Sequence, residues 1–549
     1  MKVRNAADTA MERFTIRSAR RIENRKDADV NEVTVNLENL TNTKYRSFGP
    51  EFVAHSVWDE LKLPQKLAEM GFTAKERSLS EAIVCGRLIN HCSELATWEW
   101  INNSSSIGEL TEESLDNVGL NPIYRIGDKL LGHKKELEEH LFNIEAKLHP
   151  GREMLYLFDL TNFYFEGQAL GNSLAMHAKS KEKRHDCPLV SLGLLVDSSG
   201  FPVTSEIFPG NIGEPGTLSE ILQKMGYFEE CLPGMTPTLA MDRGIATAEN
   251  IKLLKEKNIH YILITRGPRN AYYLEEFENN QTDPEFKSFT KNGKEIRIKE
   301  VPNADTVEIL CVSEGRKEKE DAMSRRWTER ASEDLASLQR SVRKGSIKQT
   351  DKIYKKIGRR EERYANLCKY FSIELTADPA NPGSTIELNF RENPVFDIEK
   401  NASNPLNGAY VIETTLKDKT PEEIWTLYMT LTRVEEAFRC LKSELGARPI
   451  YHQGAERTKG HLFISILAYH ILINIEYRLN QSGDTRRWAS ICKVLGTHQR
   501  STTIIPDNKQ RIHHVRVSGQ AEPCHTKIYN ALKLKPGKGT KKYIVAKRL

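Results

Sequence analysis

Paired cysteines are missing from this sequence. Its nine cysteines, Cys85, Cys92, Cys187, Cys231, Cys311, Cys368, Cys440, Cys492 and Cys524, are scattered. No two stand as CxxC, which argues against a zinc ribbon. An odd, dispersed set in a large chain fits a reducing cytosol, not a disulfide-built fold. The opening MKVRNAADTAMERF holds no apolar signal core, so no secretory leader is expected. Long hydrophobic runs are scarce. The longest, Leu462–Ile475, is shorter than the roughly 20 residues of an ordinary span, and it contains His470 and Asn474. It reads as a buried helix, with no membrane as partner. No GxxxxGK[ST] phosphate loop occurs, which disfavours an ATP-driven motor or helicase. No internal repeat is visible.

What is present is the composition of a soluble globular protein. The 549 residues suggest about three or four domains. With 39% hydrophobic and 28% charged residues, there is enough apolar sequence for sizeable cores. The formal net charge of +5 does not by itself point to nucleic acid. Its distribution says more. From Lys509 to Leu549 eleven lysines and arginines face one acid, Glu522. Such a block reads as a solvated, poorly ordered tail or, more sharply, as a segment drawn to a polyanion.

Along the chain, residues 1–48 alternate charge with β-branched residues and read as a strand-rich arm. Residues 49–150 carry apolar positions at helical spacing and form a helical module, a candidate DNA reader. From 151 three closely spaced apolar runs predict three sequential antiparallel strands. Helix, strand, helix and strand candidates follow to about 269. Residues 270–420 break this order with a hairpin turning at Asn292-Gly293, two long charged helices and further alternating segments. They read as a β-rich insertion. Residues 421–480 return to helix and complete the core, and 481–549 form a basic C-terminal region. The expected class is α/β with a mixed sheet.

Two aspartates end apolar runs of the core: Asp159 after MLYLF, and Asp242 after TLAM, before an Arg-Gly turn signal. A carboxylate at the end of a buried strand is costly to desolvate unless something compensates it. Alone, each reads equally as a turn or helix cap. Two in one α/β unit make a shared site for hard cations such as Mg²⁺ more plausible, since these favour carboxylate oxygens.

The third acid comes from helix geometry. In WTLYMTLTRVEEAFRCLKSELG, taken at 100° per residue, Leu427, Leu431, Val434, Phe438, Leu441 and Leu445 fall within roughly 80° of arc and form the buried stripe. Glu435, Lys442 and Tyr428 cluster within roughly 40° of one another beside it. Glu436 points to solvent. Glu435 is therefore the acid placed to meet strand-end aspartates. An ordinary amphipathic helix with flanking charges would give the same pattern.

These segments resemble the DDE transposases of bacterial insertion sequences, in the branch whose last acid sits in a Y-x2-R-x3-E-x6-K helix. Tyr428, Glu435 and Lys442 match, and Leu431 stands where that arginine belongs. The resemblance includes FDLTNFYFEG around Asp159, FPGN ending at Asn211, MDRGIATAENI around Asp242, VEEAFRCLKSELGARPIYH and RTKGHLFISILAYHI. It spans about 150–480. It implies a ribonuclease-H-like core, interrupted by the insertion. It further implies that Asp159, Asp242 and Glu435 are catalytic and hold two Mg²⁺ or Mn²⁺ ions. The implied partners are double-stranded DNA, as transposon ends and target, and a second copy in a synaptic dimer. Action in a bacterial cytoplasm, with the nucleoid, follows. Of the candidate arginines, Arg433 projects roughly 160° from Glu435, whereas Arg439 lies about 40° away and is the better substitute for Leu431. Tyr428, Lys442, Arg439, Arg448 and Arg266 are the expected DNA-backbone contacts, with Arg269, Tyr451 and His452 as weaker ones. His461 reads as a helix-packing histidine more than a metal ligand, and Thr161 and Asn162 as supports for the turn after Asp159. Alternatives are a metal-dependent nuclease of the same fold and a non-catalytic DNA-binding protein.

Overall fold

The computed structural model describes residues 14–17, 32–35, 37–151, 155–178, 184, 186–229, 237–265, 267–364, 367–393, 406–508, 511–535 and 542–547. Two compact units emerge. One joins Met1–Met235 to Thr430–Leu549, and the other is Thr236–Met429.

In the first unit the 49–150 stretch is helical, as its periodicity requires. Its main helices are Gly49–Glu60, Ala74–Ile89, Glu94–Asn103, Leu120–Gly132 and Lys134–Leu148. The Ala74–Ile89 helix starts on a capping box. Thr73 Oγ1 accepts from the Glu76 amide, and the Glu76 carboxylate accepts from the Thr73 amide at 2.8 Å. This helix and Leu120–Gly132 pack against a 27-residue helix, Ala455–Gln481. That long helix is apolar enough to cross a membrane by length and composition, but most of the apolar window is buried inside this unit. Each of its buried Leu, Ile and Phe side chains contributes roughly 1.5–3 kcal/mol. Its two polar interruptions are satisfied. His470 Nδ1 lies 3.0 Å from Glu145 Oε1, and Asn474 Nδ2 donates to the same oxygen at 2.8 Å.

The three core strands follow as expected. Leu155–Tyr164 pairs antiparallel with Leu189–Asp197, which pairs antiparallel with Pro202–Pro209. The ends of the chain differ from the expected solvated tail. Gln499–Pro506 pairs with the arm strand Thr41–Ser47 on one side and with Arg511–Ser518 on the other, and Lys542–Lys547 closes the sheet. Counting charge missed this because strand pairing buries His513 and Arg516, on opposite faces of Arg511–Ser518, to 5% and 8% exposure. Asp507 accepts from His513 and Glu109 pairs with Arg516, so both buried side chains have acidic partners.

In the second unit Thr238–Met241 runs parallel to His260–Ile264 across the Ala248–Glu256 helix. The Asn292-Gly293 turn is real. Both residues have positive φ, 51° and 74°, and join Lys287–Lys291 to Lys294–Pro302. The sequence puts a boundary near 270, yet the sheet crosses it. His260–Ile264 pairs with Ala409–Thr414, then come Val307–Ser313, Lys294–Pro302 and Lys287–Lys291. The charged helices are Glu314–Arg343 and Thr350–Arg363, and they pack with the hairpin Phe371–Asp378/Asn381–Glu392. Three antiparallel strands, then helix, strand, helix and parallel strand give the α/β, ribonuclease-H-like mixed-sheet order.

Candidate active site

Asp159 does not end its strand. It stands midway in Leu155–Tyr164, opposite Leu194, between the buried Phe158 and Leu160. Asp159 is itself half-buried. Its Oδ1 accepts from the Leu160 amide at 2.8 Å. The polar run FDLTN looked like a strand end, but strand pairing carries it on. Thr161 is buried, and Asn162 donates to Ser191 Oγ at 2.8 Å, so both continue the strand and support no turn after Asp159.

Glu435 reaches the same unit from far along the chain. Its helix, Thr432–Arg439, packs against the Asp159 strand and buries Val434, Ala437 and Phe438. Glu435 is exposed in the first turn. The single long helix of the sequence reading is interrupted twice. Residues 430 and 431 form a turn between Pro421–Met429 and Thr432–Arg439, and Cys440–Glu444 is a π-helical turn, closed by Leu445 N to Cys440 O at 2.9 Å. Leu427 and Leu431 are consequently half-buried, whereas Val434, Phe438, Leu441 and Leu445 are buried. The uniform rotation that grouped Tyr428 with Glu435 therefore does not run through the segment. Tyr428 is half-buried on the Pro421–Met429 helix.

Lys442 sits on the π turn, with Nζ 5.8 Å from the centre of the Phe163 ring. Asp159 and Phe163 are four residues apart on one strand and so share a face. The Arg448 guanidinium lies 5.8 Å from the neighbouring Tyr164 ring. Both cations are thus brought to the far half of the Asp159 strand. Arg439 is held elsewhere, with Nη1 2.8 Å from Glu444 Oε1 and Nη2 3.6 Å from Glu436. Glu436 does not simply face solvent. Arg487 reaches it at 2.5 Å, and Arg433 and Arg439 stand at 3.6 Å. Burial would raise its pKa, but these arginines hold it below the usual carboxylate value.

In the second unit Asp242 follows directly on the strand Thr238–Met241 and is exposed. Its Oδ1 accepts from Arg243 N at 2.7 Å and its carbonyl from Ile245 N at 3.1 Å, so it also shapes the turn. Carboxyl ends of parallel strands are where open α/β sheets present ligand-binding groups. Arg269 is occupied by Glu308, at 2.6 Å. Arg266 lies outside the described residues.

Sequence reasoning missed a buried cluster beneath the segment after Glu435. Glu94 Oε1 lies 3.0 Å from His452 Nε2 and 3.7 Å from His461 Nδ1. The three ligand atoms lie within 4.8 Å of one another, close enough to hold a metal ion. Arg87 already supplies positive charge there, 3.2 Å from His461 Nδ1 and 4.0 Å from Glu94. His461 Nε2 donates to Ala447 O at 3.2 Å, so Nδ1 is the acceptor for Arg87. Burial and the Arg87 guanidinium push His461 down to about 4. The cluster is an ionic staple, and His461 packs as expected. The nearby Gly446 turns with φ 53°, where a Cβ would come within 3.0 Å of the His91 ring. Nothing local in HCSELA or YHQGAERTKGH announces the staple; only the fold joins them.

Asp159 and Glu435 lie in one unit and Asp242 in the other, and each offers carboxylate oxygens, the donors a hard divalent ion selects. The family model described as the transposase DDE domain matches residues 151–471, more than half of the chain. The chain belongs to that family and is a DNA transposase, and its family generally uses a divalent metal. No curated protein matches it. Among solved structures it is similar to the cryo-EM structure of a piggyBac transposase synaptic complex with hairpin DNA. Identity is 8%, with 82% of this chain and 80% of that chain covered and a TM-score of 0.36. That likeness is too distant to carry an argument.

Proposed function

We propose that this transposase cuts insertion-sequence ends and joins the freed 3′-hydroxyls to target DNA, using Asp159, Asp242 and Glu435 as its catalytic carboxylates. The carrying observation is that the Thr432–Arg439 helix packs on the Asp159 strand, so that two distant acids share one unit inside the family-matched region. Two Mg²⁺ or Mn²⁺ ions held by the three acids would supply an activated water and a stabilised leaving oxygen for in-line displacement. The protein's own part is to aim the carboxylates and seat the DNA. Lys442 and Arg448, beside the Asp159 strand, hold backbone phosphates and set register, which carries no sequence information. End recognition falls to other parts, with the 49–150 helices as the candidate. Two copies synapse the ends, in a bacterial cytoplasm alongside the nucleoid.

The test is a strand-transfer assay with Mg²⁺ or Mn²⁺, using a duplex bearing the ends of the element that encodes the chain. Joined products are expected. Hydrolysis without joining would make it a nuclease of the same fold, and binding without cleavage a non-catalytic DNA-binding protein.

A further inference from the structure

Positive charge is concentrated far from the three acids along the chain, on the Thr350–Arg363 helix and the turn before it. From Arg340 to Arg363 there are ten lysines and arginines against three acids, an excess larger than the +5 of the whole chain. The Thr350–Arg363 helix is two-faced. Ile353 and Ile357 are buried against Leu338 and Val342 of the long helix and Leu388 of the hairpin. At 100° per residue Lys352, Lys355, Lys356, Arg359 and Arg363 fall within about 100° of arc, and Asp351, Glu361 and Glu362 fall outside it. All five cations are exposed.

Cations on a surface helix are usually matched by neighbouring acids, as on the adjoining helix, where Arg316 pairs with Glu320 and Glu318 takes Lys294. The stripe is different. Arg363 pairs with Asp334 at 3.0 Å, while Lys352, Lys355, Lys356 and Arg359 make no ion pair among the described residues. Four unmatched cations on one face repel one another and favour a polyanion. From Lys352 to Arg363 the helix rises about 16 Å. About five phosphates of one duplex strand occupy that length, at roughly 3.4 Å each along the axis.

We propose that this stripe is a docking surface for the sugar–phosphate backbone of duplex DNA, separate in sequence from the carboxylates and from Lys442. It rests on the DNA-transposase reading above and adds where the duplex is gripped without regard to sequence. The apolar face of the helix is already used, so the cationic face is the one left for a partner. Charge selects the duplex as that partner.

The test replaces Lys352, Lys356 and Arg359 together by alanine in the full chain. Alanine favours helix and leaves Ile353 and Ile357 in place, and an unchanged melting temperature checks the fold. Affinity for duplexes of unrelated sequence is measured over a salt series. The log–log salt slope should fall by about 2.7, three phosphates at roughly 0.9 each, equally for every sequence. Cleavage at saturating DNA should persist. If the intact chain fails to bind duplex DNA at all, the functional reading falls and this inference with it. If the intact chain binds and cleaves while the triple variant keeps its slope, this inference alone is overturned. A variant that changes sedimentation but not DNA affinity would assign the stripe to a second copy of the chain, and stronger slope loss on duplex RNA would assign it to RNA. Either result overturns the proposal.

Discussion

Glu94 and Glu435 both lie in the first turn of a helix, and their surroundings are opposite. Glu94 is 9% exposed and surrounded by Arg87, His452 and His461. Burial would raise its pKa, but the hydrogen bond from His452 holds it well below the carboxylate range. Glu435 is exposed and has no cation within ion-pair distance among the described residues. A carboxylate that staples a fold has its oxygens taken up by the protein. One that is to hold an ion keeps them available. The comparison separates two roles that residue type and helix position leave identical.

The largest effect should fall on the three proposed catalytic acids. Asp159→Asn, Asp242→Asn and Glu435→Gln should each lower cleavage by about a thousandfold or more, since several kcal/mol of charge stabilisation depend on the ions. DNA affinity and melting temperature should stay close to those of the parent chain. Wild-type cleavage by any one of them would remove that residue from the site. Glu94→Ala should behave in the opposite way. It leaves Arg87, 4% exposed, without its carboxylate, and should cost about 3–5 kcal/mol of stability. Chemical denaturation measures this, and cleavage should survive wherever the variant is still folded. A Glu94 variant that is stable but inactive would collapse the comparison.

The sequence shows one side of this contrast well. Apolar runs ending near Asp159 and Asp242, and a helix carrying Glu435 beside its apolar stripe, were readable because strand and helix periodicities are local properties. The continuity of the helix was not. Neither the turn at 430 and 431 nor the π turn at Cys440–Glu444 has a proline or glycine to mark it. The staple was invisible for a related reason: Arg87 and Glu94 lie hundreds of residues from His452 and His461, and ionic partners at that separation leave no periodic trace. The basic C-terminal stretch misled for the converse reason. Its net charge is a sum, whereas the strand Arg511–Ser518 buries His513 and Arg516, one on each face, against acids.

Acid should loosen the staple. His461 is held neutral, with its pKa pushed down from 6.5 to about 4, chiefly by burial. A base depressed on folding contributes its full stability above its unfolded value. That contribution is lost as pH falls, because the unfolded chain takes up the proton first. Stability should therefore drop by roughly 3 kcal/mol between about pH 6.5 and 4. Denaturant midpoints across this range measure it, and His461→Gln should flatten the slope. A parent chain whose midpoint is level over that window would mean that His461 is not held neutral.

A smaller effect distinguishes two cations near Glu435. Lys442 contacts the Phe163 ring on the face that Asp159 shares, so Lys442→Ala should lower the log–log salt slope for DNA binding by about 1. Arg439 is taken up by Glu444 and Glu436, and Arg439→Ala should change that slope less. The reverse order, with Arg439 the stronger, would return it to the phosphate-binding role its helical position suggested.

The smallest effect tests the comparison at its closest range, between adjacent glutamates. Glu436 shares a helix turn with Glu435 yet is tied to Arg487, Arg433 and Arg439, so it belongs with Glu94 in kind. It is about a third exposed, and solvent screens its pairs, which limits Glu436→Gln to a loss of roughly 0.5–1 kcal/mol. Because its pKa is lowered in the folded chain, that contribution is present above the unfolded carboxylate value and disappears as pH falls through the folded one. The melting-temperature difference between parent and Glu436→Gln should therefore be measurable at pH 7 and close toward zero in acid. Cleavage by the variant should remain near that of the parent at both ends of that range where the chain is folded. If Glu436→Gln instead lost cleavage at pH 7 with no change in melting temperature, the two glutamates would have exchanged roles, and Glu435 would no longer be the acid to pair with Asp159.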